Sequence, residues 1–365
     1  MMIMRRRDLT IEGKDMVIQD ILEQAIIRGA SDIFIVAGAM LSFKINGEIQ
    51  KVADYKLMPK DTLELISQIY EIKDGNRKNV ISHNEDDFSF SLKKLGRFRA
   101  NIYYQRGSLA AILRVVRFEL PDPDSYHIPK NVMDLARMQK GLILVTGSAG
   151  SGKSTTLACM IDAINQSRNA HIITIEDPIE YLHSHKKSIV SQREVAHDTA
   201  DYPSALKAAL REAPNVLLVG EMRDLNTMQI AISAAETGHL VLSSLHTNNA
   251  TETINRIIDV FDTSRQQQIR VQLAMNLQAV VSQQLIPAKD QTLVPAFEVL
   301  TMTNAIRTLI RENKLHQIPN MIATGKEYGM MAMDDAIYKL YQDGNIDRTT
   351  ALLYASNPDV LSKKI

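Results

Sequence analysis

Residues 142–154 read Leu-Ile-Leu-Val-Thr-Gly147-Ser148-Ala149-Gly150-Ser151-Gly152-Lys153-Ser154, an apolar run followed directly by the pattern GxxxxGK[ST]. The run at 142–145 predicts a buried strand, and the residues after Lys153 predict a helix reaching to about residue 165. Strand, glycine-rich turn and helix in that order make a cradle for phosphate. Glycines let backbone N–H groups turn toward phosphate oxygens, and the helix N-terminus adds positive potential. Lys153 reaches the outer phosphates, the Ser154 hydroxyl ligates Mg²⁺, and Thr155 continues the helix beside them. A plain glycine turn is the competing reading, and the strand–loop–helix context argues against it. The expected cofactors are therefore ATP and Mg²⁺.

Outward from this loop, apolar strands alternate with helices: HIITIED, a helix from Pro203, NVLLVGE, a helix from Leu225, and HLVLSSLH. That alternation predicts an α/β fold with a mainly parallel sheet covered on both faces. Ligands of such sheets bind beyond the carboxyl ends of the strands. Glu176, Asp177 and Glu180 follow one such end, and a carboxylate there can orient and deprotonate an attacking water. Glu180 is the first choice and Glu176 the second, with a solvated loop acid as the bland alternative. Another strand end carries Gly220-Glu221, where phosphate-loop enzymes commonly hold Mg²⁺ through water from an aspartate. Glu221 is one position later and one carbon longer, and could reach a metal-bound or attacking water. His239 and His246 flank the strand at 240–245; odd spacing puts them on opposite faces, and His246 is the better placed to sense phosphate. A buried hydrogen-bonding role remains open for both.

The first third reads as a smaller α+β domain. Apolar residues recur at helical spacing from Val17 to Ile26 and stop at Gly29. Strands are expected at 33–36, 41–45, 87–92, 97–104 and 109–116, with a helix at 62–70 and a tight turn at Asn46-Gly47. Three prolines within 119–130 predict a linker. The expected domains are thus 1–118, a linker at 119–130, and 131–365, mostly helical after Ala250.

Composition bounds the partners. Lysine plus arginine and aspartate plus glutamate each total 42, so no global field attracts nucleic acid or an anionic surface, and no nucleic acid is expected. The single cysteine, Cys159, excludes an internal disulfide and a multi-cysteine zinc site within one subunit, and fits a reducing cytoplasm. The start MMIMRRRDLT lacks the apolar segment of a secretory signal, and no apolar run approaches the roughly 18–20 residues that span a bilayer. Membrane association is expected to be peripheral.

Taken together, GSAGSGKST, ITIEDPIEYLH, APNVLLVGEMRD and TGHLVLSSLHTNNA resemble the boxes of the secretion and pilus ATPase superfamily, and in particular its type IV pilus retraction branch. GASDIFIVAG and GRFRANIYYQRG resemble that family's PAS-like N-terminal domain, and the remainder its RecA-like motor domain. The resemblance implies that Glu180 belongs to an Asp box, Glu221 to a Walker B box, and His239 and His246 to a His box. It also implies a homohexameric ring with ATP held between domains and across subunit junctions. A γ-phosphate so placed calls for extra positive charge, for which Arg97, Arg99 and Arg114 on the first domain's strands are the candidates, with a solvated strand face as the alternative.

Three features favour retraction over extension: Ala305-Ile306-Arg307-Thr308-Leu309-Ile310-Arg311-Glu312 resembles the AIRNLIRE motif of retraction ATPases, the tetracysteine zinc motif is absent, and there is no large extra N-terminal domain. Arg307 and Arg311 lie one helical turn apart and predict one positive stripe, a coupling surface toward the pilus base. The implied partners are further copies of the chain, an inner-membrane platform protein and a second pilus ATPase. The chain departs from the family at Ser148-Ala149, where proline and threonine are usual, and in its basic start, 1–7.

Overall fold

The computed structural model describes residues 17–45, 47–73, 84–92, 95–116, 120–290 and 292–365. The basic start and Asn46 of the expected turn lie outside these residues. The chain divides into two compact units, residues 1–119 with 180–182, and residues 120–179 with 183–365.

The first unit contains α1 (Ile18–Ile27), β1 (Asp32–Ile35), β2 (Met40–Ile45), β3 (Glu48–Lys56), α2 (Pro59–Lys73), β4 (Glu85–Leu92), β5 (Gly96–Gln105) and β6 (Ser108–Val116). Its strands form one sheet in the order β3-β2-β1-β6-β5-β4, with antiparallel neighbours throughout. Ile21 and Leu22 of α1 and Ile66 and Ile69 of α2 share a core with Phe43, Phe98 and Leu113. Along β5, Phe98, Ala100 and Ile102 are buried while Arg97, Arg99 and Asn101 face the other way, the two-residue period of a half-covered sheet. Strand β3 was not expected: only two of its nine residues, Val52 and Ala53, are buried, so it lacks an apolar run to read.

The second unit begins with residues 120–129, which pack onto it rather than hanging free: Ile128 is buried, and the Pro121 carbonyl accepts from the Cys159 thiol at 3.3 Å. Then come α3 (Lys130–Asp134), β7 (Gly141–Thr146), α4 (Lys153–Ser167), β8 (His171–Glu176), β9 (Ile189–Glu194), α5 (Tyr202–Ala209), β10 (Val216–Val219), α6 (Leu225–Glu236), β11 (Leu240–Leu245), α7 (Ala250–Asp259), α8 (Thr263–Asn276), β12 (Leu277–Pro287), β13 (Leu293–Thr301) and α9 (Asn304–Arg311). Shorter helices complete the chain. The sheet runs β13-β12-β7-β11-β10-β8-β9, parallel except for β13 at one edge. Strand β7 is buried on both faces: Leu142 and Leu144 join the core beneath α6 and α8, whereas Ile143 and Val145 join Met160 and Ile161 of α4. That continuous apolar run is the signature of a parallel strand covered by helices on both sides. Side-chain caps fix several helix starts, with Asp201, Asp224 and Asn249 each accepting from a backbone N–H three residues on.

After Ala250 helices predominate, and one strand pair that the sequence did not announce interrupts them. Residues 277–301 form the antiparallel pair β12 and β13, and β12 lies directly beside β7. Ser282, Gln283 and Gln284 interrupt its apolar pattern, and their polarity is what hid the strand.

Candidate active site

The loop between β7 and α4 turns on three glycines in the left-handed region, Gly147 (φ 145°), Gly150 (φ 77°) and Gly152 (φ 88°). At Gly147 space is limiting as well, since a Cβ there would lie 2.2 Å from the Gln283 carbonyl oxygen of β12. Ser148, Ala149 and Gly150 form the exposed rim. Lys153 is buried at the first position of α4, and its ammonium donates to the carbonyls of Gly147 at 2.9 Å and Ser148 at 2.8 Å. Its charge is thus held over the loop. Ser151 is buried, while Ser154 and Thr155 are half-buried in the first turn of α4. Beside Gly152 and Thr155 lies an open cavity of about 440 Å³, lined also by Tyr126, Ile128, Leu293 and Phe297.

Two strand spacings along the carboxyl edge, roughly 10 Å from the loop, lies the end of β10. Glu221 is 9% exposed there, with Oε2 3.3 Å from His246 Nε2 and Oε1 2.6 Å from an Arg223 guanidinium nitrogen. His246 follows the last residue of β11, whose carbonyl accepts from the Gly147 N–H at 3.3 Å. The structure therefore brings the loop, Glu221 and His246 to one edge.

Gly220 stands where an aspartate is commoner, and the packing gives a reason. A Cβ at this position would lie 2.8 Å from the Tyr202 hydroxyl and 3.2 Å from the Ile175 carbonyl oxygen. Burial, followed by the charges of Glu221, Asp177 and Glu176, holds the Tyr202 phenol well above its ordinary pKa, so it stays a neutral hydroxyl beside these acids. Sequence reasoning missed Tyr202 because it sits on α5, the helix before β10.

Glu176 at the end of β8 is half-buried, and its Oε1 accepts from Thr174 Oγ1 at 2.6 Å and Gln192 Nε2 at 3.2 Å. The segment beyond it carries the cis peptide Asp177-Pro178. Glu194, also missed, is 1% exposed and accepts from the Ile179 backbone N–H at 3.2 Å, tethering that segment to β9. Glu180, which follows, is exposed.

The sequence profile of the type II/IV secretion system protein family matches residues 11–355. The chain belongs to this family. The type IV pilus retraction ATPase PilT of Pseudomonas aeruginosa is 40% identical over 343 residues, 94% of this chain and 99% of that protein. The type IV pilus ATPase PilU of the same organism is 38% identical over 344 residues, 94% of this chain and 90% of that protein. A crystal structure of the pilus retraction motor PilT with bound ADP superposes at a TM-score of 0.89 and 46% identity, covering 96% of this chain and 100% of that one. The chain is thus a PilT-type ATPase, with a RecA-like motor fold and a smaller N-terminal domain.

Within this PilT-type chain the remaining predicted residues fall elsewhere. His239 precedes β11, at the amino end of the strand, roughly 20 Å from the edge that carries the loop. Its Nδ1 lies 3.0 Å from the Ala234 carbonyl oxygen, so it is a half-buried residue that closes the turn after α6. Arg99, Arg114 and Asp32 form a cross-strand row in the first unit, with Arg99 opposite Arg114 and Arg114 opposite Asp32. Arg99 makes two contacts with Asp87, at 3.0 and 2.6 Å, whereas the exposed Arg114 makes one with Asp32 at 3.2 Å. Arg97 is half-buried on the same face as Arg99.

The single positive stripe expected of Arg307 and Arg311 is corrected. Arg307 turns inward, and its guanidinium donates to the carbonyls of Ala274, of Met275 at 3.1 Å and of Leu277 at 3.3 Å. It also reaches Gln278 Oε1 at 3.3 Å. These are the end of α8 and the start of β12, where a cation satisfies unpaired helix carbonyls. Arg311 instead lies at the surface and donates to Thr308 Oγ1 at 3.1 Å.

Proposed function

We propose that this chain is a cytoplasmic motor that hydrolyses Mg·ATP and works as a homohexamer to retract type IV pili, peripheral to the inner membrane and acting on a platform protein there. The observation that carries the chemistry is the shared edge of Lys153, Glu221 and His246. The cradle N–H groups and Lys153 bind the phosphates, and the 440 Å³ cavity beside Gly152 and Thr155 is large enough for a nucleoside. Glu221, buried between His246 and Arg223, is placed to order a water. Glu180 is the proposed base, with Arg97, Arg99 and Arg114 as sources of positive charge for the γ-phosphate. His239 and His246 are assigned to the His box, with His246 the better placed to sense the γ-phosphate.

The donor set suits Mg²⁺. Ser154 directly and Glu221 through water would offer oxygen ligands to a hard cation. Such a cation would be bound together with nucleotide phosphates and would neutralise charge on their oxygens. Retraction as the direction of work is supported by the names of the similar PilT proteins and by residues 305–312.

Phosphate release by the purified protein tests the reading. Lys153→Ala abolishes binding or turnover, while Glu180→Gln binds ATP without turning it over. Full hydrolysis by Glu180→Gln removes that residue as the base, and no hydrolysis by the wild type sinks the motor.

A further inference from the structure

A cradle whose N–H groups point toward phosphate turns its carbonyls outward, and outward carbonyls in a buried loop need donors. The donor at the middle of this loop comes from β12. Gln283 is 3% exposed, and its Nε2 donates to the Ser151 carbonyl at 2.6 Å. Its Oε1 accepts from the Thr156 hydroxyl, one turn into α4, at 2.8 Å. Its own backbone carbonyl is the atom that leaves no room for a side chain at Gly147. On the preceding residue, the Ser282 hydroxyl accepts from Thr146 Oγ1 at 2.9 Å, directly before the loop starts.

One side chain therefore joins the middle of the loop to the helix that follows, while its backbone bounds the loop's first glycine. We infer that Gln283 is a positioning residue for nucleotide, holding the phosphate loop in its binding conformation from the neighbouring strand. The need for such a brace is local. Three left-handed glycines give the loop many alternative conformations, and Ser148-Ala149 supplies no ring to restrict them. A loop braced before phosphate arrives loses less conformational freedom on binding, and the saving appears as affinity. The inference rests on the nucleotide-binding reading of the loop.

The test compares wild type with Gln283→Met, which keeps the volume and loses both hydrogen bonds, and Gln283→Glu, which keeps an acceptor for Thr156. Binding of a fluorescent ADP analogue, steady-state phosphate release and thermal melting without nucleotide are measured for each. Gln283→Met is expected to bind about 10- to 100-fold more weakly, the cost of an unpartnered buried carbonyl and hydroxyl expressed as affinity, and to raise KM more than it lowers kcat. Gln283→Glu is expected to approach wild-type affinity as pH falls, because a protonated carboxyl donates to the Ser151 carbonyl and a carboxylate does not. A purely structural role would lower the melting temperature and leave the KM-to-kcat split and this pH dependence unmoved.

Wild-type affinity and KM in a folded Gln283→Met protein overturns the inference. Should that variant fail to fold, a Gln283→Glu protein whose affinity relative to wild type is independent of pH overturns it instead. Failure of the wild type to bind nucleotide sinks the parent reading, whereas wild-type binding with unaffected variants sinks only this one.

Discussion

Gly220 shows how one missing methyl shapes the edge where the acids gather. The Tyr202 hydroxyl and the Ile175 carbonyl take up the space a Cβ would need, which leaves Glu221 as the acid of that strand end. Gly220→Ala is expected to cost about 1–3 kcal/mol of stability through this overlap. Part of that loss returns in a Tyr202→Phe background, which a double-mutant cycle of melting midpoints measures. His183 makes a separate prediction. Its Nδ1 is buried without a hydrogen-bond partner among the described residues, and burial pushes its pKa down to about 4. Well above pH 6.5 the ring is neutral in both folded and unfolded chains, so stability there is independent of this group. As pH falls from 6.5 toward 4 the unfolded chain takes up a proton that the folded one refuses, and up to about 3 kcal/mol is lost. His183→Gln removes this penalty, so between pH 7 and pH 4.5 its Tm should fall less than that of the wild type. The places of Lys153 and Glu221 after strand ends were legible in the sequence, because spacing from an apolar run specifies them. Tyr202, Glu194 and Gln283 were not, since each reaches the site from an element distant in sequence.

At the scale of elements, the helix of residues 304–311 divides its two arginines between two jobs. Arg307 closes the junction of α8 and β12, and Arg311 stays at the surface. Arg307→Ala should lower stability by about 1–3 kcal/mol, because partly buried carbonyls lose their donor. Lysine at that position should restore only part of the loss, since a point charge cannot serve several carbonyls as a planar fork does. Arg311→Ala should change stability by less than about 0.5 kcal/mol, so a loss of motility in that variant would assign it to a docking surface. Thermal melts of the purified variants separate the two. Helical periodicity could not reveal this division: residues four apart share a face, but only the position of α8 decides which arginine turns inward. Strands β7, β8, β10 and β11 were legible because burial on both faces leaves each an unbroken apolar stretch, such as Leu142–Val145, Val216–Val219 and Leu240–Leu242. Strands β9 and β12 were not, because Ser191, Gln192 and Arg193, and Ser282, Gln283 and Gln284, break their pattern.

For the whole molecule, the division into a small α+β unit and a larger doubly wound unit shows in the change from strand-rich to alternating pattern, whereas the proposed ring is implied only by family resemblance. A ring of six 40.9 kDa chains predicts an assembly of about 245 kDa by mass photometry in the presence of ATP. A monomer at every concentration tested would exclude the ring. Whether the motor retracts pili is decided by imaging fluorescently labelled pili in cells lacking this gene, complemented with either the wild type or Lys153→Ala. Excess, immobile pili are expected without the gene and with Lys153→Ala, and restored retraction with the wild type. Cells without pili in the absence of the gene would contradict retraction and assign the motor to extension.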